Sequence, residues 1–505
     1  MGIVIRQGFK FSVVTYLGVA LGAFNILYLF PRFLQPDEIG LRELLVGIAM
    51  MLAYFSQLAM NNVMMRFFPY FKDESRQHNG LLVVSLGISL LGFFLISSLF
   101  FAFTPWFTWL FATRAELLLQ YSQVILPLTA IVMLNTLLEQ WARLHLRIAQ
   151  PALFRELFLR VLLTVLVVLY GSKRIDFDAF IYGFAASYAF NTLLLIWYTA
   201  QLGVLYLQPK YIHIPPALRK EMIWYAAWML LGGMGVIINE RIDGLMLASL
   251  TGIKATGIYA VSFFIATIIE MPRRGVSQIA GTLVAEHWKN HDQAALGKLY
   301  KQSSLNQLLL GGFLFVGIWS NIDGLFQLIP NGEIYVAGKY VVLFIGISRL
   351  LDMANGVNAE IIQNSPFYRF NLISILFLGF ISFVTNYLMI PRFGLVGAAA
   401  GSTLSMLLFS LLKGGFLWHK LRLQPFEKRT LLVLGVLLVA YWVSLAVPKL
   451  GDAPFQIMLQ MLLRGSLIVL VVVSALWLYP LSDELHQLLH QTAQKIGIRS
   501  SNRRS

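Results

Sequence analysis

The sequence predicts an all-α integral membrane protein of about fourteen membrane-spanning helices, arranged as two six-helix halves followed by a C-terminal helical hairpin. Three observations carry this. The chain is 58% apolar and only 12% charged, with mean hydropathy +0.71, whereas soluble domains carry about 25% charged residues. Apolar segments recur along its whole length, most of them near the roughly 20 residues that a helix needs to cross hydrocarbon. The first half also repeats weakly in the second.

In chain order the expected spans are 11–31, 43–64, 80–103, 117–138, 157–172, 178–203, 223–249, 257–278, 304–328, 336–361, 369–390, 395–418, 429–447 and 456–480. The fifth is short and carries Arg160; the tenth is interrupted by polar residues. With the N-terminus inside, Lys and Arg favour the inside segments over the outside loops by roughly three to one, the asymmetry typical of cytoplasmic loops. Both termini are therefore expected in the cytoplasm. The opening MGIVIRQGFK is short and basic and runs into a full-length span without a small-residue cleavage site, so it does not read as a signal peptide.

Composition also excludes function classes. A net charge of +15 on such an apolar chain reads as anchoring at cytoplasmic loops and anionic lipid, not as nucleic-acid binding. With no cysteine there are no disulfides or thiolate metal sites. The outer loops are short and hold no cluster of histidines or carboxylates, which argues against a membrane glycan polymerase or ligase. The largest hydrophilic segments are both inside: Glu270–Lys301 and the tail from Leu481. In that tail Leu485, Leu488, Leu489 and Ile496 recur at near-helical spacing. It reads equally as a surface helix with its basic end at anionic headgroups and as a frayed polar tail.

The repeat appears when Phe33–Ala49 is laid on Leu250–Ala266. Gly40 then meets Gly257, Ile48 meets Ile265 and Ala49 meets Ala266; the same register puts Lys72 on Lys289. Spans one and two thus correspond to seven and eight. Six spans per half keep both halves in one orientation, related by an axis along the membrane normal, one of the repeat classes of secondary transporters. The expected organisation is an N-lobe 1–207, a C-lobe 208–425, helices thirteen and fourteen in 426–480, and a cytoplasmic basic tail 481–505.

The segment FPRFLQPDEIGLRELL after the first span resembles the R-x-L-g-p-e-e-y-G-l signature of polysaccharide transporters in the multidrug/oligosaccharidyl-lipid/polysaccharide exporter (MOP) superfamily. NNVMMRFFPYFKD after span two, GIYAVSFFIATIIEMPRRGVSQIAGTLVAEHW around span eight and PRFGLVGAAAGSTLS leading into span twelve follow in the same order. The pattern is similar to that of the Wzx-type flippases of lipid-linked oligosaccharides. The resemblance implies a MATE-like fold of two six-helix lobes around a central cavity, and a non-enzymatic protein. It implies that a polyprenyl-diphosphate-linked O-antigen, capsule or exopolysaccharide unit is turned across the bacterial inner membrane. Lipid-linked oligosaccharide, membrane lipids and other polysaccharide-assembly membrane proteins are the partners expected on it. In one respect the chain departs. Many drug exporters of the superfamily carry an acid in the first helix, yet Phe11–Phe30 has none, and its one strongly polar side chain is Asn25. This lowers the alternative, a multidrug–cation antiporter.

Charges inside apolar spans mark the candidate site, because each is costly at bilayer depth and faces protein or water. At about 100° per residue, Gly232, Gly233, Glu240, Asp243 and Gly244 fall within roughly 120° of span seven, with Gly235 pointing away. Glu240 and Asp243 are adjacent like charges that should recruit a proton, a cation or an arginine, so H+ or Na+ coupling is placed there, with no other cofactor or metal. Arg241 needs a partner from another helix. In span ten, Arg349, Asp352, Gly356, Glu360 and Gln363 share roughly 80°, and Arg349 and Asp352 are spaced for an intrahelical pair. An anionic diphosphate calls for arginines. Arg6, Arg66, Arg273 and Arg274 at inner helix ends are candidates beside ordinary positive-inside anchoring, with Arg241 further along the route. Arg160 follows Glu156 by four residues, a local pair. Trp224, Tyr225 and Trp228 are candidate sugar-stacking rings.

Overall fold

The computed structural model describes residues 2–208, 212, 214–479, 481–487 and 491. The side chains of 2–6, 8, 9, 12, 274, 275, 278, 279, 282 and 368 lie outside that description, as do Leu488, Leu489 and Ile496 of the tail. The described chain is helical, with no strand. The main helices are α1 (Gly2–Phe24), α2 (Pro36–Ser56), α3 (Leu81–Ala102), α4 (Ile125–Leu144), α5 (Leu159–Gly171), α6 (Phe177–Gln201), α7 (Pro216–Leu250) and α8 (Ile253–Thr267). They continue with α9 (Gln293–Ser320), α10 (Lys339–Ala354), α11 (Tyr368–Leu421), α12 (Lys428–Leu445) and α13 (Pro454–Leu478).

Twelve segments among the described residues are long and apolar enough to cross a membrane, and the protein is a multi-pass membrane protein. The long segment holding α11 contains two expected spans, joined at Gly394 (φ 56°, ψ −133°) just after Pro391. Span five is not among the twelve. Its helix starts back at Ala149 and runs through a π-helical turn, Phe154–Phe158, into α5, carrying Arg155, Glu156 and Arg160. Every span read from hydropathy is thus found as helix.

Two spans are broken, the second of them the one whose sequence is interrupted by polar residues. Span two stops at Ser56 and resumes as Met60–Phe71, because Leu58 (φ 47°) and Ala59 (φ 61°) take the left-handed conformation. Span ten stops at Ala354 and resumes as Asn358–Asn364, with Gly356 at φ 51°. The continuous polar face expected from Arg349 to Gln363 is therefore broken.

Packing forms two compact units, Met1–Val261 with Ser382–Leu395, and Ser262–Ile381 with Val396–Ser505. In the first, Trp141 is fully buried and its indole donates to Val204 O at 2.7 Å. In the second, the α12–α13 hairpin packs on α9 through Leu308, Leu309, Leu437 and Ile468. A Cβ at Gly312 would overlap Leu437. Small residues let helices close up where lipid supplies no hydrophobic drive between them.

The repeat has a counterpart in the first unit. A Cβ on Gly40 would strike Ile253 O and Gly257 N, and one on Gly257 would strike Pro36 O and Gly40 N. The register that matches Gly40 to Gly257 also matches Pro36 to Ile253. The contact is thus reciprocal, residue i on j and j on i, as a two-fold relation between the starts of α2 and α8 requires.

Candidate functional site

Each unit holds its own group of membrane-embedded charges. In the first, α1, α2, the α5 helix, α6 and α7 bring together Arg42, Glu43, Glu156, Arg160 and Arg241. The charges of Arg42, Glu43, Arg241 and Arg160 all reach the Tyr188 hydroxyl. Arg42 pairs with Glu43 and lies over the Phe30 ring, 4.3 Å from its centroid. Arg160 forms the expected pair with Glu156 at 2.7 Å and also donates to Gly18 O. Gly22 leaves room for that guanidinium, which a Cβ there would displace. Arg155 extends the chain of pairs to Glu156 (3.1 Å) and Glu139 (2.7 Å).

Arg241 does find a neighbour on another helix, but not an acid. It lies along α2, with its Cδ over Gly47 and its Nη2 2.9 Å from Met50 Sδ. Its Nε is buried and unbonded, and no ion pair reaches it among the described residues. Thioether sulfur is a weak acceptor, so most of the donor capacity of this guanidinium is unspent.

Glu240 and Asp243, adjacent on α7, lie in different surroundings. Asp243 is buried, accepting from Tyr259 OH at 2.7 Å and from Asn386 Nδ2 at 2.6 Å, whereas Glu240 is exposed. One helical turn carries Asp243 under its neighbours and leaves Glu240 at the edge of the buried face. The small-residue face is also corrected: Gly235 is as buried as Gly232. Gly233 makes room for the Tyr54 hydroxyl, which donates to Met229 O (3.0 Å) and Leu230 O (3.2 Å). Asn25 is buried at the head of a π-helical turn, Asn25–Leu29. Its amide donates to Arg160 O (3.1 Å) and accepts from the Thr164 hydroxyl (2.9 Å); these bonds tie α1 to α5. The π turns are of a kind often found at functional positions.

In the second unit, Arg273 pairs with Asp352 and with Glu270 (3.6 Å), and Arg349 pairs with Glu270 at 3.0 Å. The intrahelical Arg349–Asp352 pair is replaced by pairing across helices, where the two carboxylates can face both guanidinia from opposite sides. Arg273 thus spends its Nη1 on two carboxylates. Lys413 is 3% exposed, lies over the Phe409 ring at 4.4 Å, and faces Asp352 and Glu360. Glu360 Oε2 is buried and unbonded. Arg66 is surface-exposed, paired with Glu221 at 3.3 Å and resting on the Tyr225 ring at 4.5 Å. That contact occupies one of the candidate stacking rings; Trp224 and Trp228 are exposed. Arg6 and Arg274 have side chains outside the described residues.

Sequence reading passed over Arg42, Glu43, Tyr188, Asn386 and Lys413. Lys413, alone in the apolar run LLFSLLKGGFL, was visible by the same rule that singled out Arg241.

No family model and no curated relative matches the chain. Solved structures do. A lipid II flippase, MurJ, in an inward closed conformation superposes with a TM-score of 0.70 at 15% identity, over 92% of this chain and 98% of that one. The chain has the MurJ fold. The MATE transporters share it: an inward-facing multidrug resistance MATE family transporter of the MOP superfamily gives 0.58 at 14% identity, over 80% and 94%. A MATE in the bent conformation gives 0.51 at 15%, over 86% and 96%.

Proposed function

We propose that the protein is a transporter of the MOP type that turns a polyprenyl-diphosphate-linked oligosaccharide, an O-antigen, capsule or exopolysaccharide unit, across the bacterial inner membrane by alternating access. The observation that carries this is Arg241, a membrane-embedded guanidinium with no acid partner among the described residues, in a group that also holds Arg42 and Arg160. An anionic diphosphate supplies the acceptors that such a guanidinium lacks, and arginine binds phosphate oxygens in bidentate fashion. A fold shared with a lipid II flippase supports the reading. The lobes are taken as 1–207 and 208–425, both termini as cytoplasmic, and the polyprenyl chain as remaining in lipid. Asp243, held by Tyr259 and Asn386, is the carboxylate at which H+ or Na+ would bias the cycle; Glu240 is the exposed acid on its approach. Surrounding lipids and other polysaccharide-assembly membrane proteins are the partners this role entails.

Deleting the gene and following lipid-linked intermediates tests the reading. Accumulation of the undecaprenyl-linked oligosaccharide on the cytoplasmic side, restored to export by the wild-type chain but not by Arg241→Ala, is the expected result. Unchanged intermediates would remove it. The second reading, a multidrug–cation antiporter, is favoured by the MATE likeness. It predicts instead that expression protects a drug-sensitive strain and leaves glycan intermediates unaltered.

A further inference from the structure

The second unit carries a groove of about 580 Å³ that plays no part in the transport reading. It lies where the start of α9, the connector from α11 to α12 and the segment after α13 converge. Four cations line it: Lys298, Lys301, Arg422 and Arg429.

Its acids are already engaged. Glu427 pairs with Lys301 at 3.5 Å and caps the start of α12; Asp483 holds Arg429 at 3.0 Å; Glu484 accepts from Asn306. Ser482 also donates to Asn306 Oδ1 at 2.5 Å, so the chain after α13 is folded back as a wall of the groove. Gln293 Nε2 donates to Leu421 O at 2.6 Å, and Leu423 rests on Gly297. Those contacts set Lys298 and Arg422, the next residues along, on the same groove. Neither has an acid partner among the described residues. Arg422 ends α11 at φ 54°, a left-handed position where glycine is favoured and an arginine is strained. Most of the lining is polar or charged, and Trp418 and Phe426 stand exposed nearby, as aromatic residues do at the level of lipid headgroups.

We propose that this groove binds the phosphate headgroup of an anionic phospholipid, with Lys298 and Arg422 as its free cations and Lys301 and Arg429 as paired supports. Two uncommitted cations in a polar groove, with exposed aromatic rings beside it, match the phosphodiester of a lipid whose acyl chains stay in the bilayer, and a basic residue near an anionic membrane surface adds measurably to binding. The groove shares no residue with the Arg241 group, and lipid binding there does not depend on which solute the protein moves.

The test is native mass spectrometry of the purified full-length chain, offered phosphatidylglycerol, phosphatidylcholine or inorganic phosphate. Wild type is expected to retain phosphatidylglycerol about tenfold better than phosphatidylcholine. Lys298→Gln with Arg422→Gln should bring the two lipids to parity, while Lys428→Gln, a basic residue outside the groove, leaves the preference intact. Three results would overturn the proposal: phosphatidylglycerol retained equally by the double variant; an equal loss in the Lys428→Gln control, meaning general surface charge; or inorganic phosphate binding as well as the lipid, meaning a free-anion site. Since transport is not the readout, a failed flippase reading leaves this result interpretable.

Discussion

In the first unit Arg241 lies along α2 with a glycine and a methionine for neighbours, while in the second Arg273 and Arg349 each end on a carboxylate. Both are membrane-embedded arginine groups, but they answer the cost of a charge in opposite ways. The second unit balances its charges: Arg273 and Arg349 pair with Glu270 and Asp352, and Lys413 and Glu360 add one charge of each sign. The Tyr188 group sets Arg42, Arg160 and Arg241 against Glu43 and Glu156, and leaves one guanidinium over. A paired set holds helices together; an unspent cation is available to a ligand. Substitutions should therefore hurt stability in the second unit and transport in the first.

The largest effect is expected at Asp352. It and Arg273 are 14% and 23% exposed at the side chain, and removing one partner of a buried pair leaves an uncompensated charge, at about 3–5 kcal/mol. Asp352→Ala should lower the thermal denaturation temperature of the purified protein sharply, and adding Arg273→Met should recover much of the loss. A double variant no better than the single would show that the two do not act as a pair.

Next comes Arg241. A hydrogen bond to a charged group contributes about 1.5–3 kcal/mol, so Arg241→Ala should slow transport by roughly 10–100-fold with folding intact. Arg241→Lys should fall between, because a point charge lacks the planar fork. Wild-type transport in Arg241→Ala would erase the contrast between the units.

How much of this contrast was legible follows from what each feature depends on. A span is a local property, so the segments read from hydropathy are helical. The cost of a lone charge is also local, which is why Arg241, Asp243, Arg349 and Asp352 stood out. Partner choice is not local. Arg349 and Asp352 have the spacing of an intrahelical pair, yet Glu270 and Arg273 arrive from another element and win both. Glu240 and Asp243 share a sector on a helical wheel, but the boundary between buried and exposed passes between them, and only packing sets that boundary. The break at Leu58–Ala59 carries no glycine or proline to announce it. The repeat, read from a few weak matches, proved informative because Gly40 and Gly257 are constrained by each other.

That glycine pair gives a third, smaller expectation. Overpacking a close contact costs about 1–3 kcal/mol, and reciprocity requires Gly40→Ala and Gly257→Ala to destabilise by similar amounts. Gly87, with nothing near its would-be Cβ, is the control and should tolerate alanine. Markedly unequal losses at the two glycines would mean that the two-fold relation is only approximate at this contact.

The smallest effect concerns a histidine pair at the end of α4. His145 Nδ1 donates to Trp141 O at 2.9 Å, and its Nε2 lies 3.2 Å from His78 Nε2, whose Nδ1 accepts from the Asp73 amide at 3.2 Å. These partners suit two neutral rings: His78 Nε2–H donates, and His145 Nε2 accepts. A proton on His145 would turn that acceptor into a donor facing a donor. Burial holds the His145 imidazole below its ordinary 6.5, with Glu74 pulling the other way and Lys72 adding to the depression. The unfolded chain thus takes up a proton as pH falls through about 6.5 while the folded chain resists. The stabilisation is complete above that value and is lost as the pH drops from there towards the lower folded value. Denaturation temperature should fall on acidification from pH about 7.5 to about 5.5, and His145→Gln should flatten that fall. A steeper acid dependence in His145→Gln than in wild type would contradict the neutral assignment of the pair.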